Sequence, residues 1–379
     1  MTDSATPAPS VLVTDSVPST TDTAEALDQD AQQLVDGIND ELATNPPFSC
    51  PMTYHGPGNQ GMAERGSYLL KVHALLLRRR HPWLSFEALD SIVFHSDYAQ
   101  ALRDLSERAG RVCKATDEPF GVGLAMAVKL GEKSAVVLDA GILHGIAGEE
   151  DSKQDICVDT ALHELCHVYD NARKQRLLAE DMRRGTVKPL QGHVFTAADA
   201  AWSEYFANKY SDSGCSSLEA HPQMLADVVP ALVSDMRQAI IAYRTNNQID
   251  ALLALCRQKV HFLFQCFGYA AGRLSANSKG LDDVAPESAT VLRTAGLWDI
   301  WQRTFAALDQ LDDVREAWTS YDDLQPLMDQ ADATFKVLGL NYRLNDSGGV
   351  RVDIPYTPET MPNTPEAQFL AALAARGSR

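Results

Sequence analysis

Asp159-Thr160-Ala161-Leu162-His163-Glu164-Leu165-Cys166-His167-Val168-Tyr169-Asp170 is the stretch on which the reading of the chain turns. Val158, Leu162, Leu165 and Tyr169 recur at helical spacing and form one apolar stripe. No Gly or Pro falls between Glu149 and Gly185 to interrupt a helix. On such a helix His163 and His167, four apart, share a face with about 5–6 Å between their Cβ atoms. Both rings can then reach one Zn2+ at ~2.0–2.1 Å. Glu164 sits beside that face, placed to take a proton from water rather than to bind metal. From Thr160 to Tyr169 the only charged side chain is Glu164, as a buried catalytic helix requires, because a stray charge is costly to desolvate. The plain alternative is two surface histidines on an ordinary helix.

A catalytic zinc site needs a third protein ligand and an open position. His-x-x-Gly-x-x-His does not follow His167, which excludes the metzincin spacing. The best candidate is Glu204, in the alanine-rich run Thr196 to Tyr210, which reads as a second helix started by Thr196. Its alanines would let it approach the His163 helix closely. Asn208 lies one turn after Glu204 and could hydrogen-bond the outer nitrogen of a ligand histidine. Asp170, Glu180, Asp181 and His193 compete for the third position. His193, Tyr205 and Tyr210 are candidates to stabilise an oxyanion.

His-Glu-x-x-His followed by a later helix with Glu-x-x-x-Asn resembles the gluzincin branch of the zincin-type zinc metallopeptidases. The resemblance covers roughly residues 91–211. It implies His163, His167 and Glu204 as zinc ligands and Glu164 as general base, with a peptide or protein as substrate. Asn208 stands where many gluzincins carry Asp. The fold it implies is α+β: a small twisted sheet, the metal-binding helix and the glutamate helix. Alternatives of another class are a zinc-dependent hydrolase of a non-peptide amide and a non-catalytic zinc-binding interaction protein.

The net charge of −18 argues against nucleic acid or an anionic membrane as partner. Seven cysteines without regular spacing do not suggest a disulfide framework. No basic n-region with an apolar run opens the chain, and no stretch of about 18 apolar residues exists. These features lead to a cytoplasmic expectation, with export without a cleavable signal as the alternative. Cys50, before Pro51, offers a thiolate that could plug a metal site.

Four segments are expected. Residues 1–45, rich in Ser, Thr, Pro, Ala and Asp, read as a disordered tail. Residues 46–215 read as the zincin-like domain, beginning with a proline-rich linker that runs past His55. In it a strand over 91–95, a helix ended by Gly110, strands near 120–128 and 133–138 and a loop over 140–154 precede the metal helix. Val136 to Asp139 is the expected sheet edge bordering the cleft. Residues 216–338 read as helical, in segments 224–244, 249–269, 289–308 and 314–338, and residues 339–379 as a β-hairpin and tail.

Overall fold

The computed structural model describes residues 20–56, 60–114, 117–118, 121–148, 151–178, 188–212 and 217–377. Contacts divide the chain into Met1–Pro46 and Pro47–Arg379. The described part of the first unit is a helix, α1 (Thr20–Thr44), where composition leads one to expect no regular structure. Ala, Glu, Leu and Gln take over from Ser, Thr and Pro after Thr23, and these are strong helix formers. Residues 1–19 of the expected tail lie outside the described residues.

The second unit is mixed α+β. Its sheet runs in the order β1 (Met52–His55), β2 (Leu89–His95), β6 (Lys133–Asp139), β5 (Ala125–Leu130). The first three are parallel and β5 is antiparallel to β6. Gly131, at φ 69°, makes the turn between β5 and β6. β1 forms inside the stretch expected as a linker, pairing Met52 to His55 with Ile92 to His95. A minor pair, β3 (Asp117–Glu118) and β4 (Gly121–Val122), precedes β5.

The expected edge strand is therefore not the edge. Ala135, Val136, Val137 and Leu138 form an unbroken apolar run, and all four are buried. A strand buried on both faces reads this way, whereas a half-exposed one alternates. Val136 and Leu138 enter the main core, while Ala135 and Val137 pack with α3 (Tyr98–Ala109). The edge on this side is β5.

Beneath the sheet lie α2 (Gln60–Arg80), α4 (Ala140–Ala147) and α5 (Asp151–Leu177). α4 occupies the stretch expected as a loop. Asp139 caps it by accepting from the Gly141 N–H at 2.8 Å, and Ile142, Leu143 and Ile146 are buried. A Cβ at Gly145 would collide with the Cys157 sulfur, so this glycine marks a helix contact. The remaining helices are α6 (Phe195–Ser211), α7 (Ala220–Asn246), α8 (Ile249–Ala276), α9 (Leu281–Val284), α10 (Pro286–Thr294), α11 (Trp298–Asp313) and α12 (Gln325–Val337). The hairpin β7 (Asn341–Leu344) and β8 (Val350–Asp353) follows, then α13 (Pro365–Gly377).

Two expected helices are each interrupted. Gly296, at φ 72°, separates α10 from α11. Ahead of α12, the stretch from Val314 forms short 3-10 turns at Arg315–Ala317 and Tyr321–Leu324. Trp202, Phe267, Phe335 and Tyr342 belong to one continuous core, so the segments expected to divide near residues 215 and 338 share a packed interior. No helix among the described residues is long and apolar enough to cross a membrane.

Candidate metal centre

α5 presents His163 and His167 on one face as the four-residue spacing requires, with ring centroids 4.5 Å apart. Opposite them stands Glu204 of α6. His163 Nε2 and His167 Nε2 are 2.9 Å apart. Glu204 Oε2 lies 3.2 Å from the first and 3.4 Å from the second. A triangle with these sides has a circumradius of about 1.8 Å, so a point ~2.0–2.1 Å from all three atoms exists just off its plane. Two histidine nitrogens and a carboxylate oxygen are also the donor set that suits Zn2+. Among the described residues this is the one group of three or more such side chains close enough to share an ion.

The polar atoms of the trio are otherwise poorly served. Glu204 Oε2 is buried without a hydrogen bond of ordinary geometry. Burial opposes ionisation of Glu204, but the adjoining His167 outweighs it and holds the carboxyl well below its usual range. Burial likewise opposes charge on His167, yet Glu204 pushes its pKa up to about 9. Two histidine nitrogens thus face one buried carboxylate, and the three donor atoms fit a divalent ion between them.

Glutamate placement comes mainly from α8. A Cβ at Gly268 would meet the Ala201 carbonyl oxygen and come within 2.9 Å of Glu204 Cβ. One at Gly272 would lie 2.6 Å from the Tyr205 oxygen and 2.7 Å from Asn208 Cβ. These two glycines, one turn apart, let α8 press directly on the backbone of α6. The α6 alanines were expected against α5; the glycine contact is a different one, with α8, and Ala197, Ala198, Ala201 and Ala207 are buried as well. Buried Arg273 then ties α8 to α5 through Asp159 at 3.0 Å. The three helices that hold the trio are fastened to one another.

The candidates for supporting roles fare differently. Asn208 is buried and donates to the Glu204 backbone oxygen at 3.0 Å, within its own helix. Ser203 takes the place expected for it, with Oγ 3.1 Å from His167 Nδ1. The side chain one position before the ligand, not one turn after, reaches the ring. Thr196 does not cap α6, whose first residue is Phe195 after an uncapped Val194.

None of the three oxyanion candidates faces the trio. Tyr205 donates to Asp309 at 2.6 Å and Tyr210 to Asp312 at 2.6 Å. His193 stacks on Tyr342 at 3.8 Å, with Asp332 at 3.5 Å. Asp170 is fully buried and bonded to Arg173, Lys174 and Trp202, which removes it as a ligand. Glu180 and Asp181 lie outside the described residues. Cys50 lines a separate cavity with Met52 and Lys71, and burial pushes its thiol up to about 11.

Tyr269 is the residue that inspection of the sequence missed. It adjoins Gly268 on α8, its ring lies 6.1 Å from that of His163, and it lines the same cavity as Glu204. Burial and the nearby Glu204 and Glu164 raise its pKa far above the ordinary phenol value, so it remains an O–H donor. The sequence signal was the pair Gly268 and Gly272 inside a helical run, which marks close approach of another backbone.

His163, Glu164, His167, Ser203, Glu204 and Tyr269 open together on a cleft of about 380 Å³, whose other wall includes Ala125, Met126, Ala127 and Lys129 of β5. Comparison with protein-family models, curated proteins and solved structures finds no match.

Proposed function

We propose that this protein is a zinc-dependent metallopeptidase of zincin-like, gluzincin-like design, with His163, His167 and Glu204 as ligands. The observation that carries the reading is the convergence of those three donor atoms beside Glu164, on a cleft bounded by the last strand of a sheet. A bound Zn2+ would supply Lewis acidity and make water acidic enough to lose a proton near neutral pH. Glu164, on the same helix face and almost buried, accepts that proton and passes it to the leaving amine. Tyr269, held protonated in the cleft, is the O–H donor available to a developing negative charge.

A peptide suits the cleft because, among the described residues, β5 has a partner strand on one side only. Its outer edge offers unpaired backbone groups to which an extended chain can add as a further strand. The six cysteines among the described residues are free thiols, in keeping with a reducing, cytoplasmic setting.

The test is hydrolysis of an unstructured protein by the zinc-loaded chain. Cleavage abolished by a chelator, restored by zinc and absent in Glu164→Gln with zinc still bound is the expected result. Undiminished hydrolysis by Glu164→Gln would remove Glu164 from the role of base.

A further inference from the structure

Beside the metal trio, three cationic side chains line the cleft. Arg111, Lys129 and Lys174 all line it. Lys174 is neutralised, bonded to Asp199 at 2.8 Å and to Asp170 at 3.1 Å. Arg111 and Lys129 have no hydrogen-bonded or ion-paired acid among the described residues. Asp199 is close enough to Lys129 to be felt, but it is already engaged by Lys174.

Lys129 is the more telling of the two. It stands on β5 at two-residue spacing from Ala127 and Ala125, on the face turned to the main core, while Val128 and its neighbours Met126 and Leu130 pack with α3. Burial and the neighbouring Lys174 hold its pKa below the ordinary lysine value. A half-buried ammonium without an acid is costly, and it is unusual in a chain of net charge −18, where acids are in excess. An anion from outside would relieve it.

We propose that the cleft selects peptides carrying an acidic side chain, received by Lys129 and Arg111 about three residues from the bond to be cut. The register follows from α5. Lys174, which lines the same cleft as Lys129, is seven residues past His167, or about 10 Å along a helix axis. An extended peptide covers that distance in about three residues at ~3.3 Å each. The proposal rests on the peptide reading of the cleft. It goes further by naming the chemistry of the side chain received and the groups that receive it.

The experiment is equilibrium binding of short unstructured peptides to the zinc-loaded Glu164→Gln chain, which keeps the peptide intact. A peptide with one glutamate is compared with its glutamine version, the position being moved along the sequence. The glutamate form should bind roughly tenfold tighter, as expected for a partly desolvated charge pair. The preference should fall below about twofold in the added pair Lys129→Gln and Arg111→Gln, and survive in Lys129→Arg with Arg111 intact. Because the ion is retained throughout, attraction of a carboxylate to zinc cancels in the comparison. Equal affinities, no binding of either peptide, or a preference that outlasts loss of both cations would overturn the proposal. Hydrolysis is read separately on the chain with Glu164 intact. Preference without cleavage sinks the peptidase reading alone, and cleavage without preference sinks the charge selection alone.

Discussion

Two ionic clusters stand within two turns of each other on α5, and they are built to opposite rules. Asp170 is fully buried, yet Arg173 reaches it at 2.8 Å, Lys174 at 3.1 Å and the Trp202 indole at 3.0 Å. Arg173 is held in turn between the Trp202 and Trp318 rings. Every charge there meets its opposite within the chain. Glu204 faces two imidazoles, whose nitrogens point at each other as well as at the carboxylate. A buried carboxylate is costly, and among the described residues no Lys or Arg pairs with this one. The first cluster is a closed structural joint. The second brings together three donor atoms that could share one cation.

This contrast predicts opposite responses to loss of the acid. Asp170→Asn should strand Arg173 and Lys174 without their partner and cost about 3–5 kcal/mol of stability, read by denaturant unfolding, while zinc stoichiometry in the folded fraction is unchanged. A loss below about 1 kcal/mol would mean the joint is not what fastens this region. Burial alone would raise the Asp170 pKa, but Lys174 and Arg173 outweigh it and hold it below the usual carboxylate range. With a depressed folded pKa, its contribution is complete above the unfolded value of ~3.9 and is lost as pH falls through the folded value. The stability gap between wild type and Asp170→Asn should therefore be full at pH 7 and close in strong acid.

The next effect concerns the helix that presents Glu204. Gly268→Ala places a methyl against the Ala201 carbonyl and Glu204 Cβ, which pushes α8 away from α6 at a cost of about 1–3 kcal/mol. Zinc affinity should fall with stability, because the carboxylate moves with its helix. Unaltered zinc affinity would show that α8 does not set the position of Glu204. The smallest effect is confined to the centre itself. Ser203→Ala removes the hydroxyl at His167 Nδ1 and should weaken zinc binding by about 10–100-fold, with no change in unfolding of the zinc-free chain. An effect on stability instead would make Ser203 a packing residue.

The sequence made the local part of this arrangement legible. The spacing of His163 and His167 on an uninterrupted helix is a one-dimensional signal, and so is the Gly110 that ends α3. Glu204 was legible as the acid on the next helix. What escaped depends on contacts between distant segments. The order of strands cannot be read from any one of them, although the unbroken apolar run at Ala135 to Leu138 carried the information that β6 is central. Tyr205 and Tyr210 were candidates by proximity in sequence to Glu204, but helical geometry turns them to Asp309 and Asp312. Tyr269 arrives from a helix that begins 45 residues after Glu204, and only the glycines beside it announced the crossing.

The most direct test is elemental analysis of zinc in the wild type, His163→Ala and Glu204→Ala, with folding of each verified by circular dichroism. One zinc per chain in the wild type, lost or greatly weakened in both folded variants, is the predicted result. Zinc absent from the reconstituted wild type, or retained unchanged in Glu204→Ala, would contradict the claim that the second cluster is a metal centre.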